Sequence, residues 1–155
     1  MHISARVDYA MRALLVLTGA AKSSNPGLIK SEVLATSQQI PTKFLESILV
    51  SLRNAGIVSS HRGMDGGYRL AKPPTEISVA DVMRALEGPL AAVRGERPED
   101  MEYVDDAEHL GEVWIATRAA LRNVLEDVSL DAVHSGALPK TVKSLLNEPG
   151  AWERR

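Results

Sequence analysis

Apolar residues recur along most of this chain at helical spacing and alternate only briefly. Val7, Ala10, Met11, Leu14, Leu15 and Leu17 share one side of a 3.6-residue period, which predicts an amphipathic helix over residues 3–21. The polar run Lys22-Ser23-Ser24-Asn25-Pro26-Gly27 interrupts it as a loop. Val33, Leu34 and Ala35 predict a short second helix with Ser31 as its N-cap, ending in the turn Ser37-Gln38-Gln39. Phe44, Leu45, Ile48, Leu49 and Leu52 then repeat at i, i+1, i+4, i+5 and i+8, the stripe of a third helix. Pro41 suits its first turn, where a missing N–H costs nothing, and Gly56 its end. Two helices across a short turn, the second with its polar side free, outline a helix-turn-helix.

The rhythm then changes. Ile57-Val58-Ser59-Ser60 and Tyr68-Arg69-Leu70 read as two short strands around His61-Arg62-Gly63-Met64-Asp65-Gly66-Gly67. Gly66 and Gly67 are expected to supply the positive φ angles of a tight hairpin. A helix-turn-helix followed by a basic-tipped hairpin is a winged helix. Lys72-Pro73-Pro74-Thr75 closes the wing. Ser78 opens a further helix, with Asp81 at capping-box spacing and Val79, Val82, Met83 and Leu86 facing the core, and Gly88-Pro89 ends it.

Residues 88–108 break the pattern. Seven acidic residues (Glu96, Glu99, Asp100, Glu102, Asp105, Asp106, Glu108) with Gly95 and Pro98 make a polar connector. Beyond it, Val113, Trp114, Thr117, Leu121, Val124, Leu125 and Val128 form a stripe along a long helix from Leu110 to about Val128. A small winged helix has little of its own to cover such a stripe, so a second copy is expected to pack on it; core packing within one chain is the alternative. Residues 136–155 are expected to hold a short helix around Val142, Leu145 and Leu146, then a frayed tail. The fold class is therefore mainly α with a small β-wing: a winged helix-turn-helix plus a long C-terminal dimerisation helix. Four segments follow: a DNA-binding domain over 1–87, an acidic connector or sensor loop over 88–108, a dimerisation helix over 109–135, and a short helix and tail over 136–155.

These residues carry a resemblance. Phe44-Leu45-Glu46, Leu52-Arg53-Asn54-Ala55-Gly56-Ile57-Val58, Arg62-Gly63 and Gly66-Gly67-Tyr68 resemble the winged-helix regulators of the IscR, NsrR and CymR family. Asp8-Tyr9-Ala10 and the late helix from Val113 to Val128 are similar to the same family, so the match spans roughly residues 1–135. Order and spacing together are far more specific than any single piece. The resemblance implies a transcription regulator, more commonly a repressor, bound to double-stranded DNA as a homodimer on a palindromic operator.

Charge agrees with a nucleic-acid face at one end. Residues 1–87 hold ten Lys/Arg against seven Asp/Glu, or +3, and residues 88–155 hold eight against thirteen, or −5, giving the net −2 of the chain. On the exposed side of the recognition helix near its start lie Thr42, Lys43, Glu46 and Ser47. Lys43 can donate to guanine or phosphate, and Glu46 can accept from a cytosine amino group; its alternative is a surface charge paired with Lys43 or Arg53. The resemblance implies base contacts for Thr42, Lys43 and Glu46, aligns Pro41 with a further contact position, and makes Arg62 the arginine of the wing, suited to a narrow minor groove. Ser31, Ser51, Arg53, Ser60 and His61 are candidate phosphate contacts, His61 being equally a plain surface residue. Gly66 in the wing completes the expected set.

The chain has no cysteine. In cluster-bearing members of the family the connector supplies cysteine ligands to an iron–sulfur centre; here thiolate chemistry is excluded and no cofactor is expected. The expectation for Asp8 is a surface pair with Arg12. A small molecule or a partner protein at the connector remains as the signal. No apolar run is long enough for a membrane span and no secretory leader is apparent, so a cytoplasmic protein without membrane association is expected. Asp8, His61, His109 and the serines show no nucleophile–base spacing, phosphate loop or metal pair, so no enzyme is expected. The competing reading is a winged-helix protein-interaction module that does not bind DNA specifically.

Overall fold

Helix α1 (Ala5–Ala21) is the spine against which the other elements of the winged helix pack. In this computed structural model, which describes residues 2–153, Ser4 caps α1 by accepting from the Val7 backbone N–H at 3.2 Å, so the helix starts two residues later than the apolar spacing predicts. Val7, Ala10, Ala13, Leu14 and Leu17 form its buried face, and the small residues at 10 and 13 admit close neighbours. Thr18 is fully buried too; its hydroxyl donates to the Leu14 carbonyl at 2.9 Å, which removes the penalty of burying a polar group.

Helices α2 (Ser31–Gln38) and α3 (Thr42–Asn54) form the helix-turn-helix. Gln39 takes the left-handed conformation (φ 54°) that lets the chain turn sharply between them. Leu34, Ala35, Ile40, Leu45, Ile48, Leu49 and Leu52 fill the space beneath α1; fully burying one such leucine or isoleucine is worth about 1.5–3 kcal/mol. The expected helix starts shift by one residue. Lys30 holds the cap position of α2, and Ser31 is its first helical residue with its hydroxyl on Glu32 rather than on a backbone N–H. Pro41 is the cap of α3 (φ −58°), and its carbonyl accepts from the Phe44 and Leu45 N–H groups. Gly56, at φ 70°, terminates α3 as expected. Phe44 is not in the core: it lies at the surface edge, with its ring in T-shaped contact with Tyr9 at 5.8 Å.

Strands β1 (Val58–His61) and β2 (Gly67–Leu70) pair antiparallel, Val58 opposite Leu70 and His61 opposite Gly67. Ile29 adds a third edge by exchanging backbone hydrogen bonds with Tyr68. Gly66 and Gly67 do not take positive φ, contrary to expectation; Gly63 does, at 107°. The two glycines are needed for a different reason, since a Cβ on Gly66 would stand 2.4 Å from the His61 carbonyl oxygen and one on Gly67 2.7 Å from that of Ile29.

Helix α4 (Val79–Glu87) starts with the expected capping box, both Ser78–Asp81 bonds being present. The connector folds as turns, with 3₁₀ segments at Pro98–Asp100 and Asp105–Ala107 and buried Leu90 and Pro98. Helix α5 (Leu110–Leu125) ends three residues short of Val128. Val128 is buried in the chain's own core, not on the outer stripe: the Val79 N–H donates to its carbonyl at 2.9 Å, and the Leu130 N–H to that of Ile77 at 2.9 Å. Glu126 and Asp127 end the apolar stripe, and Ser129 caps a new helix, α6 (Leu130–Ser135), which packs on α1 and carries the Asp131–Lys22 ion pair. Helix α7 (Lys140–Leu146) is the expected short C-terminal helix.

Candidate nucleic-acid interface

Helix α3 divides cleanly. Leu45, Ile48, Leu49 and Leu52 point inward with no exposed surface, while Pro41, Thr42, Lys43, Glu46 and Ser47 stand in solvent. Glu46 joins neither Lys43 nor Arg53 in an ion pair, and among the described residues Lys43, Arg53 and Arg62 have no acidic partner. A helix face with an unpaired carboxylate between unpaired cations keeps its charges available to another molecule.

Six of the twelve residues singled out from the sequence meet in one place. Ser31, Arg53, Ser60, His61, Arg62 and Gly66 line an open polar cleft of about 400 Å³ between the start of α2, the end of α3 and the wing. Lys30 lines it too and adds a cation at the same edge. The wing carries Arg62 out from the body, and Met64 at its tip is 90% exposed. The remaining residues run along α3 away from this cleft. Ser51 differs from the others: it is half-buried, its hydroxyl accepts from Arg6 at 2.7 Å, and it donates to the Ser47 carbonyl at 3.3 Å.

Sequence reasoning passed over Arg6, Lys30 and Arg69. Arg69 is exposed on β2 and donates to Ser59 Oγ at 3.4 Å across the strands. Strand alternation places it on the outer face opposite Tyr68 and Leu70, a signal present in the sequence. Nothing in the spacing of α1 ties Arg6 to α3; that contact is purely tertiary.

A metal centre does not fit these side chains. The chain has no cysteine, and no group of three or more His, Asp or Glu among the described residues converges on a common point. Asp8 pairs with Arg12 at 3.4 Å, as expected, and the His109 side chain is 81% exposed, with Glu112 at 3.6 Å. No helix among the described residues is long and apolar enough to cross a membrane.

Comparison with known proteins gives these features a common context. The family model Rrf2, described as iron-dependent transcriptional regulator, matches residues 3–135. An HTH-type transcriptional regulator of Mycobacterium tuberculosis is 45% identical over 153 residues, covering 99% of this chain and 93% of that protein. The structure of CymR, the global cysteine regulator of Bacillus subtilis, superposes with a TM-score of 0.68 at 32% identity, covering 88% of this chain and 98% of that one. The structure of IscR from T. potens superposes with a TM-score of 0.69 at 26% identity, covering 88% of each.

Proposed function

The chain belongs to the Rrf2 family of transcriptional regulators, and from that premise we propose that it represses transcription as a homodimer on a palindromic operator, under a signal other than an iron–sulfur cluster. It is a DNA-binding winged-helix regulator and not an enzyme. The observation that carries the finer reading is the convergence of Ser31, Arg53, Ser60, His61, Arg62 and Gly66 in one cleft beside the exposed start of α3.

In this reading Thr42, Lys43 and Glu46 enter the major groove and read base edges, with Pro41 and Ser47 flanking them. Arg62 reaches into the adjoining minor groove from the wing. Ser31, Arg53, Ser60 and His61 hold phosphates and fix the register, with Ser51 held behind α3. Gly66 keeps the wing backbone tight enough to present Arg62. Residues 1–87 supply this surface with α6 packed on its α1, 88–108 carry the sensor, α5 makes the dimer contact, and α7 is the final helix.

Dimerisation rests on α5. Val113 of the stripe and Leu110 one turn before it are 53% and 38% exposed in the single chain, Trp114, Thr117 and Leu121 line an open apolar cleft, and the main contacts of α5 within that chain are with the Pro98–Asp100 segment, α4 and α7. A second copy on that face satisfies the stripe and sets two recognition helices at a fixed spacing. The absence of thiolates separates this chain from cluster-sensing regulators, so the signal enters by a small molecule or partner at the connector, in a cytoplasmic protein.

Anisotropy titration of labelled fragments from upstream of its own gene tests the reading. The expected result is saturation at two chains per site, with unlabelled random DNA competing poorly. Equal competition by random DNA contradicts it.

A further inference from the structure

The connector folds over a cluster of arginines that DNA recognition does not use. Arg84 of α4, Arg97 of the connector, and Arg118 and Arg122 of α5 line one cleft of about 430 Å³, a size suited to a small metabolite. Glu99 is the acidic residue on its walls, so the lining carries three positive charges in excess. Behind it, Glu126 is shared between Arg84 and Arg122, with Asp81 at 3.9 Å from Arg84. Arg97 has no acidic partner among the described residues. Arg118 is the deep residue, with a side chain 11% exposed, and its guanidinium is closed by the Glu99 carboxylate.

Glu99 occupies this place as a ligand would. It comes from a short 3₁₀ segment of the connector, Pro98–Asp100, which α5 packs against. Its carboxyl is held below the ordinary carboxylate range, first by the Arg118 hydrogen bond and then by its own backbone N–H, with Arg97 adding attraction. A free oxyanion offers the same two-oxygen geometry to Arg118 and, unlike Glu99, is free to reach Arg97 and Arg122 as well.

We propose that this cleft binds a small oxyanion, a carboxylate or phosphate compound, in place of the Glu99 side chain. The inference rests on the reading that the connector carries the signal, and it names the chemistry of that signal. An anion that takes Arg118 releases the Pro98–Asp100 segment from α5. It also bridges α5 to α4, and α4 packs directly on α1 and α3. The ligand thereby acts on the joint between the dimer helix and the DNA-binding elements, and shifts DNA affinity only as far as it prefers one arrangement of that joint.

Isothermal titration of the full chain without DNA tests it, with inorganic phosphate and citrate as separate probes and sodium chloride as the ionic-strength control. Saturable binding of at least one probe at one site per chain is expected; phosphate alone identifies a phosphate ligand, citrate alone a carboxylate. The Arg97→Ala/Arg122→Ala variant, altered only at exposed side chains, is expected to bind at least tenfold more weakly, and Glu99→Gln at least threefold more tightly. No saturation with either probe, no loss in the double arginine variant, or unchanged or weaker binding by Glu99→Gln overturns the proposal. Operator protection in a chain that binds neither anion removes this site and leaves the regulator intact; anion binding without operator protection does the reverse.

Discussion

Arg6 donates through Nη2 to Ser51 Oγ at 2.7 Å, joining the first turn of α1 to the far end of the recognition helix. Since the Ser51 hydroxyl also donates to the Ser47 carbonyl, it is engaged on the protein side. Ser51→Ala is therefore expected to lower unfolding free energy by about 1 kcal/mol, the net worth of one hydrogen bond, and operator affinity by less than threefold. Urea titration and anisotropy on the same variant check both; a tenfold affinity loss at unchanged stability would make Ser51 a direct phosphate contact.

The wing and the recognition helix are expected to respond differently to truncation. Arg62→Ala should weaken operator binding at least tenfold, about 1.4 kcal/mol, with little effect on stability because the side chain is exposed. Glu46→Ala should change the ranking of operator variants more than it changes the affinity for the best one. A gel-shift series over single-base operator substitutions separates the two, and equal losses on every sequence count against base reading by Glu46.

On α5, Val113→Lys combined with Thr117→Lys places two charges one helical turn apart on the same exposed face. Sedimentation velocity should show a monomer, and operator affinity should fall at least tenfold because two half-sites are no longer read together. The melting temperature of the monomer should hold, since neither side chain is part of its core. A variant that stays dimeric moves the interface elsewhere.

Acid should act through Glu99. Its carboxyl is lowered below the ordinary value by Arg118, so its contribution to stability is complete above the unfolded-state value and is lost as pH falls through the folded-state one. Glu99→Gln lacks that contribution at every pH. Melting temperatures from pH 7 down to pH 3 should start lower for the variant and converge with wild type in acid. Parallel curves would show that Glu99 adds nothing through its charge.

The helix-turn-helix and wing were legible because local chemistry and burial agree there. The Leu45-Ile48-Leu49-Leu52 stripe, the Ser78–Asp81 box and Gly56 each specify their structure within a few residues. What escaped is long-range. Gly66 and Gly67 announce a turn, yet their role is set by the His61 and Ile29 backbones approaching them. Val128 fits the period of α5, yet the chain leaves the helix at Leu125 and buries Val128 beside Val79. The arginine cleft draws on three elements far apart in sequence, and nothing in the spacing of residues 84, 97 and 118 brings them together. The residues proposed to face DNA were legible mostly as types on an exposed face; that six of them meet in one cleft with Lys30 needed the fold.

The most direct test of the central claim is footprinting of the purified protein on DNA upstream of its own gene at two salt concentrations. A sequence-specific dimer protects one site with two-fold symmetry, and the protection survives the higher salt because base contacts remain when phosphate attraction is screened. Diffuse protection that disappears at the higher salt would contradict it, leaving α3 and the wing as a surface for some other ligand.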